Sequence, residues 1–97
     1  MYPAEIVIPM KGEMTEGGFD ELLTADSVDT ALTQQGTSLV FINSVCGCAA
    51  GSARPGVLMA VHNSTKRPDH LLTSFAGFDT DAIKKINDHI KRKINAA

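Results

Sequence analysis

The run Ser38-Leu39-Val40-Phe41-Ile42-Asn43 constrains this chain more than any other stretch. Its nearly continuous apolar character suits a strand covered on both faces rather than one facing water. Such a strand needs helices above and below it, and the flanking sequence supplies them. Residues 24–35 carry a helix signal: Thr24 caps the first turn, and Leu23 and Val28 stand at the two positions of a hydrophobic staple. Val28, Ala31 and Leu32 share one face, and Gly36 is expected to end the helix in a left-handed conformation. After the strand, residues 49–63 read as helix, with Val57, Met59, Ala60 and Val61 as apolar surface and Pro55 expected to bend or restart it. His70 to Phe75 is a second strand closed by Ala76-Gly77. Asp79 or Thr80 then caps a last helix, where Ile83, Ile86, Ile90 and Ile94 recur at spacings of three and four. Strand, helix, strand, helix predicts an α/β fold with a right-handed βαβ crossover and parallel strands at about 38–43 and 70–75.

The first 16 residues are less regular. Ile6-Val7-Ile8 favours a strand locally, but Pro9 interrupts it and Val7, Met10 and Met14 share a helical face. We expect a short helix bent near Pro9 and ended by Gly17-Gly18.

With 97 residues the chain has material for one domain and one modest core. A formal charge of −2 gives no bulk attraction to nucleic acid or to anionic membranes. No apolar run approaches the roughly 20 residues of a membrane-spanning helix. The segment Met1-Tyr2-Pro3-Ala4-Glu5 does not begin a secretory signal, so the expected location is the cytoplasm.

The two cysteines, Cys46 and Cys48, follow the first long strand directly. They cannot build the multi-bridge framework of small secreted domains, and a close pair in a cytoplasmic chain is more often redox-active or metal-binding. A tetrahedral metal site would need about two further ligands. His62, His70 and His89 are scattered singly, so no metal is expected. The carboxyl end of a strand is where α/β folds place their chemistry, and a following helix offers unpaired N–H groups and a positive dipole to a thiolate. Since no charged residue lies between Asp29 and Arg54, backbone amides and that dipole are expected to supply most of any stabilisation. A thiol pKa falling from about 8.5 to about 6.5 would raise the thiolate fraction roughly 20-fold while cutting nucleophilicity nearly tenfold, so leaving ability gains most. In a regular helix, side chains two residues apart diverge by about 200°, too far for a bridge. Gly47 permits unusual backbone angles that bring the sulfurs together in a strained, labile ring. Cys46 then attacks and Cys48 resolves or stands by. The bland alternative is two buried, inert thiols.

The block Asn43-Ser44-Val45-Cys46-Gly47-Cys48-Ala49-Ala50-Gly51, followed by Ala53-Arg54-Pro55, resembles the active-site segment of the bacilliredoxins, thioredoxin-like proteins with a Cys-Gly-Cys motif. Val7-Ile8-Pro9-Met10, Gly18-Phe19 and Phe75-Ala76-Gly77 match as well, and the similarity covers roughly residues 2 to 90. The resemblance implies a single thioredoxin-like domain over residues 1–97. It also implies removal of low-molecular-weight thiols, notably bacillithiol, from protein mixed disulfides. Cys46 aligns with the attacking cysteine and Cys48 with the second one. Expected partners are thiolated proteins and small thiols, with no bound cofactor beyond the small-thiol co-substrate. Members of the family continue through a Ser-Pro-Ser loop, an antiparallel hairpin and a final helix, whereas this sequence stops at Ala97. A truncated thioredoxin-like fold is therefore expected, with the edge of strand 38–43 open and the chain self-associating through it. General disulfide isomerase or reductase activity, and a catalytically silent self-associating module, are the competing expectations.

Other features read as structural. Lys84-Lys85 and Lys91-Arg92-Lys93 form a solvated face opposite the isoleucines, Gly17-Gly18 lacks the pattern of a phosphate loop, and the four methionines fill the core. Arg54 is expected at the surface in a salt bridge, placed to steer a carboxylate-bearing thiol.

Overall fold

Residues 38–43 and 70–75 lie side by side as parallel strands, with Ser38 opposite His70 and Asn43 opposite Phe75. The computed structural model describes residues 2–45 and 53–96. Along the chain the elements are α1 (Ala4–Glu16), β1 (Asp20–Glu21), α2 (Ala25–Leu32), β2 (Ser38–Asn43), α3 (Arg54–Asn63), β3 (His70–Phe75) and α4 (Thr80–Ala96). The sheet order is β1-β3-β2, and every pairing is parallel. This is the α/β arrangement expected from the two apolar runs, with the strand bounds as read from the sequence.

Side-chain alternation along β2 divides the core into two layers. Leu39 and Phe41 face α1 and α3, where they pack with Met14, Phe19, Val57, Leu58, Val61 and Leu71. Val40 faces α2 and α4, where it meets Leu22, Val28, Ala31, Leu72, Ala82 and Ile86. Each fully buried side chain of this kind contributes about 1.5–3 kcal/mol. β3 is the central strand and its last four residues are buried, including Thr73 and Ser74. Their hydroxyls donate to the Phe41 and Leu22 carbonyls (2.9 Å each), which satisfies the polar groups and laces β3 to its neighbours.

The helix α1 runs from Ala4 to Glu16 with Pro9 inside it. Pro9 removes only the hydrogen bond to the Glu5 carbonyl and lies on the exposed side, while Val7 and Met14 are fully buried. In α2 the Thr24 side chain accepts the Ser27 N–H and the Ser27 hydroxyl oxygen accepts the Thr24 N–H, a reciprocal capping box. This helix stops at Leu32, short of residue 35. The Thr33 hydroxyl donates to the Asp29 carbonyl (2.7 Å) and the Gln34 amide to the Ala31 carbonyl (3.1 Å), occupying groups that another turn would use. Gly36 does take a left-handed conformation (φ 100°), but beyond the helix, in the turn leading to β2. Pro55 is the second residue of α3, where its missing N–H costs nothing. Met59 points outward from α3 rather than into the core.

At the start of α4, Asp79 is the capping residue: its carbonyl accepts the Ile83 N–H (3.0 Å) and its carboxylate accepts the Phe75 N–H (3.0 Å). The isoleucine stripe is buried at Ile86, but Ile90 is half exposed because it lies beyond the part of the helix packed on the sheet. Asp29 joins α2 to α4 through His89 Nε2 (2.8 Å) and Lys85 Nζ (3.4 Å). The His89 hydrogen bond, more than the Lys85 charge, holds the Asp29 carboxyl below the usual carboxylate range. Its stabilising effect is present above the ordinary carboxylate pKa and is lost as pH falls through the depressed value. At a site this exposed the contribution is small. Among the described residues, no helix is long and apolar enough to cross a membrane.

Candidate active site

The carboxyl ends of β2 and β3 meet a polar cluster built around Asn43, the last residue of β2. Asn43 is buried, and each end of its amide is used. Its Nδ2 donates to the Met10 carbonyl of α1 (3.0 Å), and its Oδ1 accepts the Ser44 N–H (2.9 Å) and Arg54 Nη1–H (3.0 Å). Arg54 is only 1% exposed. Its Nη1 also donates to the Ser44 carbonyl (2.8 Å), and its Nε donates to Glu13 Oε2 (2.9 Å).

The expectation of a surface Arg54 is therefore corrected. A guanidinium tolerates this burial because its planar fork reaches three acceptors at fixed angles. Glu13, with its side chain 47% exposed, balances the charge from the water side of the pair. Arg54 thus ties together α1, the end of β2 and the start of α3. Its contacts fix Ser44 and residue 54, the two ends of the connection 45–53. Cys46 and Cys48, the predicted catalytic residues, belong to that connection and lie outside the described residues.

Asn43 also lines a small recess, with room for about one water, together with Lys11, Glu21, Thr73, Ser74, Phe75 and Asp79. Lys11 Nζ contacts Asp79 Oδ1 (2.9 Å) and Glu21 Oε2 (3.5 Å), and stands 5.0 Å from the centroid of the Phe78 ring. This pairing joins α1 to β1 and to the start of α4. Glu13, Asn43, Lys11 and Asp79 carried no sequence signal as a group, since they come from three separate segments: α1, the end of β2 and the start of α4. Asp79 stood out in the sequence only as a helix cap, and Asn43 only as the end of the strongest strand. Among the described residues no group of three or more His, Cys, Asp or Glu side chains could hold a metal ion.

The family described as disulphide isomerase matches residues 2–96. The chain belongs to this family. It is 49% identical to a bacilliredoxin of Cytophaga hutchinsonii over 92% of its own length and 65% of the relative's. Identity is 48% to a bacilliredoxin of Geobacillus kaustophilus, over 91% of the chain and 61% of that protein. It is 45% to one of Staphylococcus saprophyticus, over 94% and 62%. The chain therefore spans a little over three-fifths of the length of these curated relatives. The resemblance drawn from the Cys-Gly-Cys block is borne out at the level of family, and the family's description names thiol–disulfide chemistry.

Proposed function

We propose that this chain is a thiol–disulfide oxidoreductase that removes bacillithiol, or a similar small thiol, from protein mixed disulfides through Cys46 and Cys48. The observation that carries the reading is the pinning of Ser44 and Arg54, which brackets the Cys-Gly-Cys connection at the carboxyl end of a parallel strand. In the first step the Cys46 thiolate attacks the small thiol's sulfur, and the protein thiolate leaves. In the second, the Cys48 thiolate attacks Cys46, releasing the small thiol as its thiolate and leaving a Cys46–Cys48 disulfide. A dithiol or small-thiol reductant supplies the two electrons that reopen it. The cytoplasm, with its reducing thiol pool, is the compartment in which this cycle turns over.

Mass spectrometry of a bacillithiolated protein mixed with this chain tests the reading. Wild-type chain is expected to strip the adduct, and Cys46→Ala to lower the rate to that of the small thiols alone. Unchanged stripping by Cys46→Ala together with Cys48→Ala contradicts the assignment. The family's description favours general disulfide isomerisation as a second reading. Faster refolding of a scrambled disulfide protein than de-thiolation at equal concentration would support it instead.

The partners in this reading are thiolated proteins and small thiols, together with a second copy of the 97-residue chain. The β2 edge favours that copy. The Thr37 and Asn43 carbonyls accept from β3, at His70 N–H (3.0 Å) and Ala76 N–H (2.9 Å). The odd-numbered residues of β2 therefore face β3, and the N–H and C=O groups of Ser38, Val40 and Ile42 point away from it. These three are symmetric about Val40, so a two-fold antiparallel pairing matches every outward donor to an acceptor. The strand has no charge, proline or bulge to block such pairing.

A further inference from the structure

We propose that a second copy of this chain docks on the β2 edge in two layers. Strand pairs with strand, and the flank of α3 above it packs on the same flank of the second α3. The proposal rests on the antiparallel self-pairing of β2 and is independent of the thiol chemistry. A two-fold axis at Val40 stands perpendicular to the sheet, so both α3 helices lie on one face and run antiparallel. The edge of β2 alone is six residues, about 20 Å long and about 10 Å deep. That is on the order of 200 Å² in section, against the roughly 800 Å² per partner of a specific interface. Strand pairing therefore needs a second layer of contact, and α3 supplies one.

Contacts within the chain fix which flank of α3 overlooks the edge. Val57 and Val61 pack with Leu39 and Phe41 of β2, so α3 covers the edge strand. On its other side stands α1, which reaches across to β1 through Lys11 and Glu21 (3.5 Å). The two helices meet where His62 Nε2 bonds the Gly17 carbonyl (3.0 Å) and the Leu58 side chain stands against Gly17. At about 100° per residue, Gly56, Val57 and Ala60 fall on the flank opposite Leu58 and His62, over the open edge. This flank carries no charge, since the ionisable groups of α3 are the buried Arg54 and His62 beside Gly17. Ala60 is exposed, and Gly56 has open space where a side chain would stand. Helices seated over strands only about 4.8 Å apart are crowded, against a usual helix spacing of 8–10 Å. Small residues at the contact allow the close approach, and the partly buried Val57 of each copy gains burial.

Sedimentation velocity over a concentration series of the 97-residue chain tests this. Ala60→Glu sets like charges face to face across the two-fold and is expected to raise the dimer's midpoint concentration about tenfold or more. Gly56→Glu, on the same flank, is expected to act alike and serves where Ala60→Glu alters the helical circular dichroism. Met59→Glu is the control. Met59 is 65% exposed on the outer side of α3, about 100° from Ala60, so its substitution is expected to stay within about twofold of wild type. Flank variants that dimerise like wild type, while Ile42→Lys is monomeric, overturn the helix layer and leave the strand pairing standing. Equal weakening by Met59→Glu and the flank variants overturns it as well, because added charge alone would then explain the loss. A wild-type chain that stays monomeric at millimolar concentration overturns the strand pairing and the helix layer together.

Discussion

Arg54→Met is expected to destabilise the chain by about 3 kcal/mol, seen as a fall in thermal midpoint of roughly 12–24 °C by circular dichroism. The side chain's volume is nearly kept, so the loss comes from polar groups rather than from a cavity. Three charge-assisted hydrogen bonds disappear, to Glu13, Asn43 and the Ser44 carbonyl. Each is worth about 1.5–3 kcal/mol to stability, and relief from burying the guanidinium offsets part of the sum. The orphaned groups fare differently. Glu13 is half exposed and returns to water, and Asn43 Oδ1 keeps the Ser44 N–H. The Ser44 carbonyl loses the Arg54 bond. Glu13→Gln, by contrast, keeps an acceptor for Arg54 Nε–H while removing the counter-ion of a buried guanidinium, and is expected to lower the thermal midpoint by less than Arg54→Met does. A thermal midpoint in Arg54→Met within about 4 °C of wild type would contradict the clamp described here.

The second large effect concerns the open edge of β2. Sedimentation velocity across concentration is expected to show the 97-residue chain at twice its monomer mass in the concentrated samples. Ile42→Lys is expected to return it to monomer with unchanged helical circular dichroism. Ile42 is 42% exposed and leaves its N–H and C=O facing outward, so the substitution disturbs little of the core. In the antiparallel pairing it brings a lysine opposite Ser38 of the second copy, twice per interface, at the position where natural edge strands carry such charges. A wild-type chain that stays monomeric at millimolar concentration would remove the self-association proposal and leave the redox reading untouched.

The sequence made the sheet legible wherever strand character lay in a run of side chains. The bounds of β2 and β3 follow from Leu39-Val40-Phe41-Ile42 and Leu71-Leu72, and α4 from its isoleucine spacing. β1 was not legible: Asp20 and Glu21 have no apolar alternation, and their strand exists only because β3 offers an edge at Leu72 and Thr73. Tertiary pairing there overrides local preference. Arg54 was misread for a related reason. Arginine is almost never fully buried unless paired, and its partners come from Glu13, 41 residues earlier in the chain, and from a strand-end asparagine. Long-range polar clusters leave no periodic trace, so the clamp around Asn43 emerges only from the fold. Cys46 and Cys48 were the reverse case, conspicuous by type and spacing but outside the described residues.

The most direct test of the central claim is intact-mass spectrometry of the Cys48→Ala chain after mixing with a bacillithiolated protein. The account predicts that the substrate loses one bacillithiol and that the chain gains one, on Cys46, because the resolving thiol is absent. A substrate that keeps its adduct while the chain stays unmodified would contradict it, as would an adduct that persists when Cys46 is also replaced.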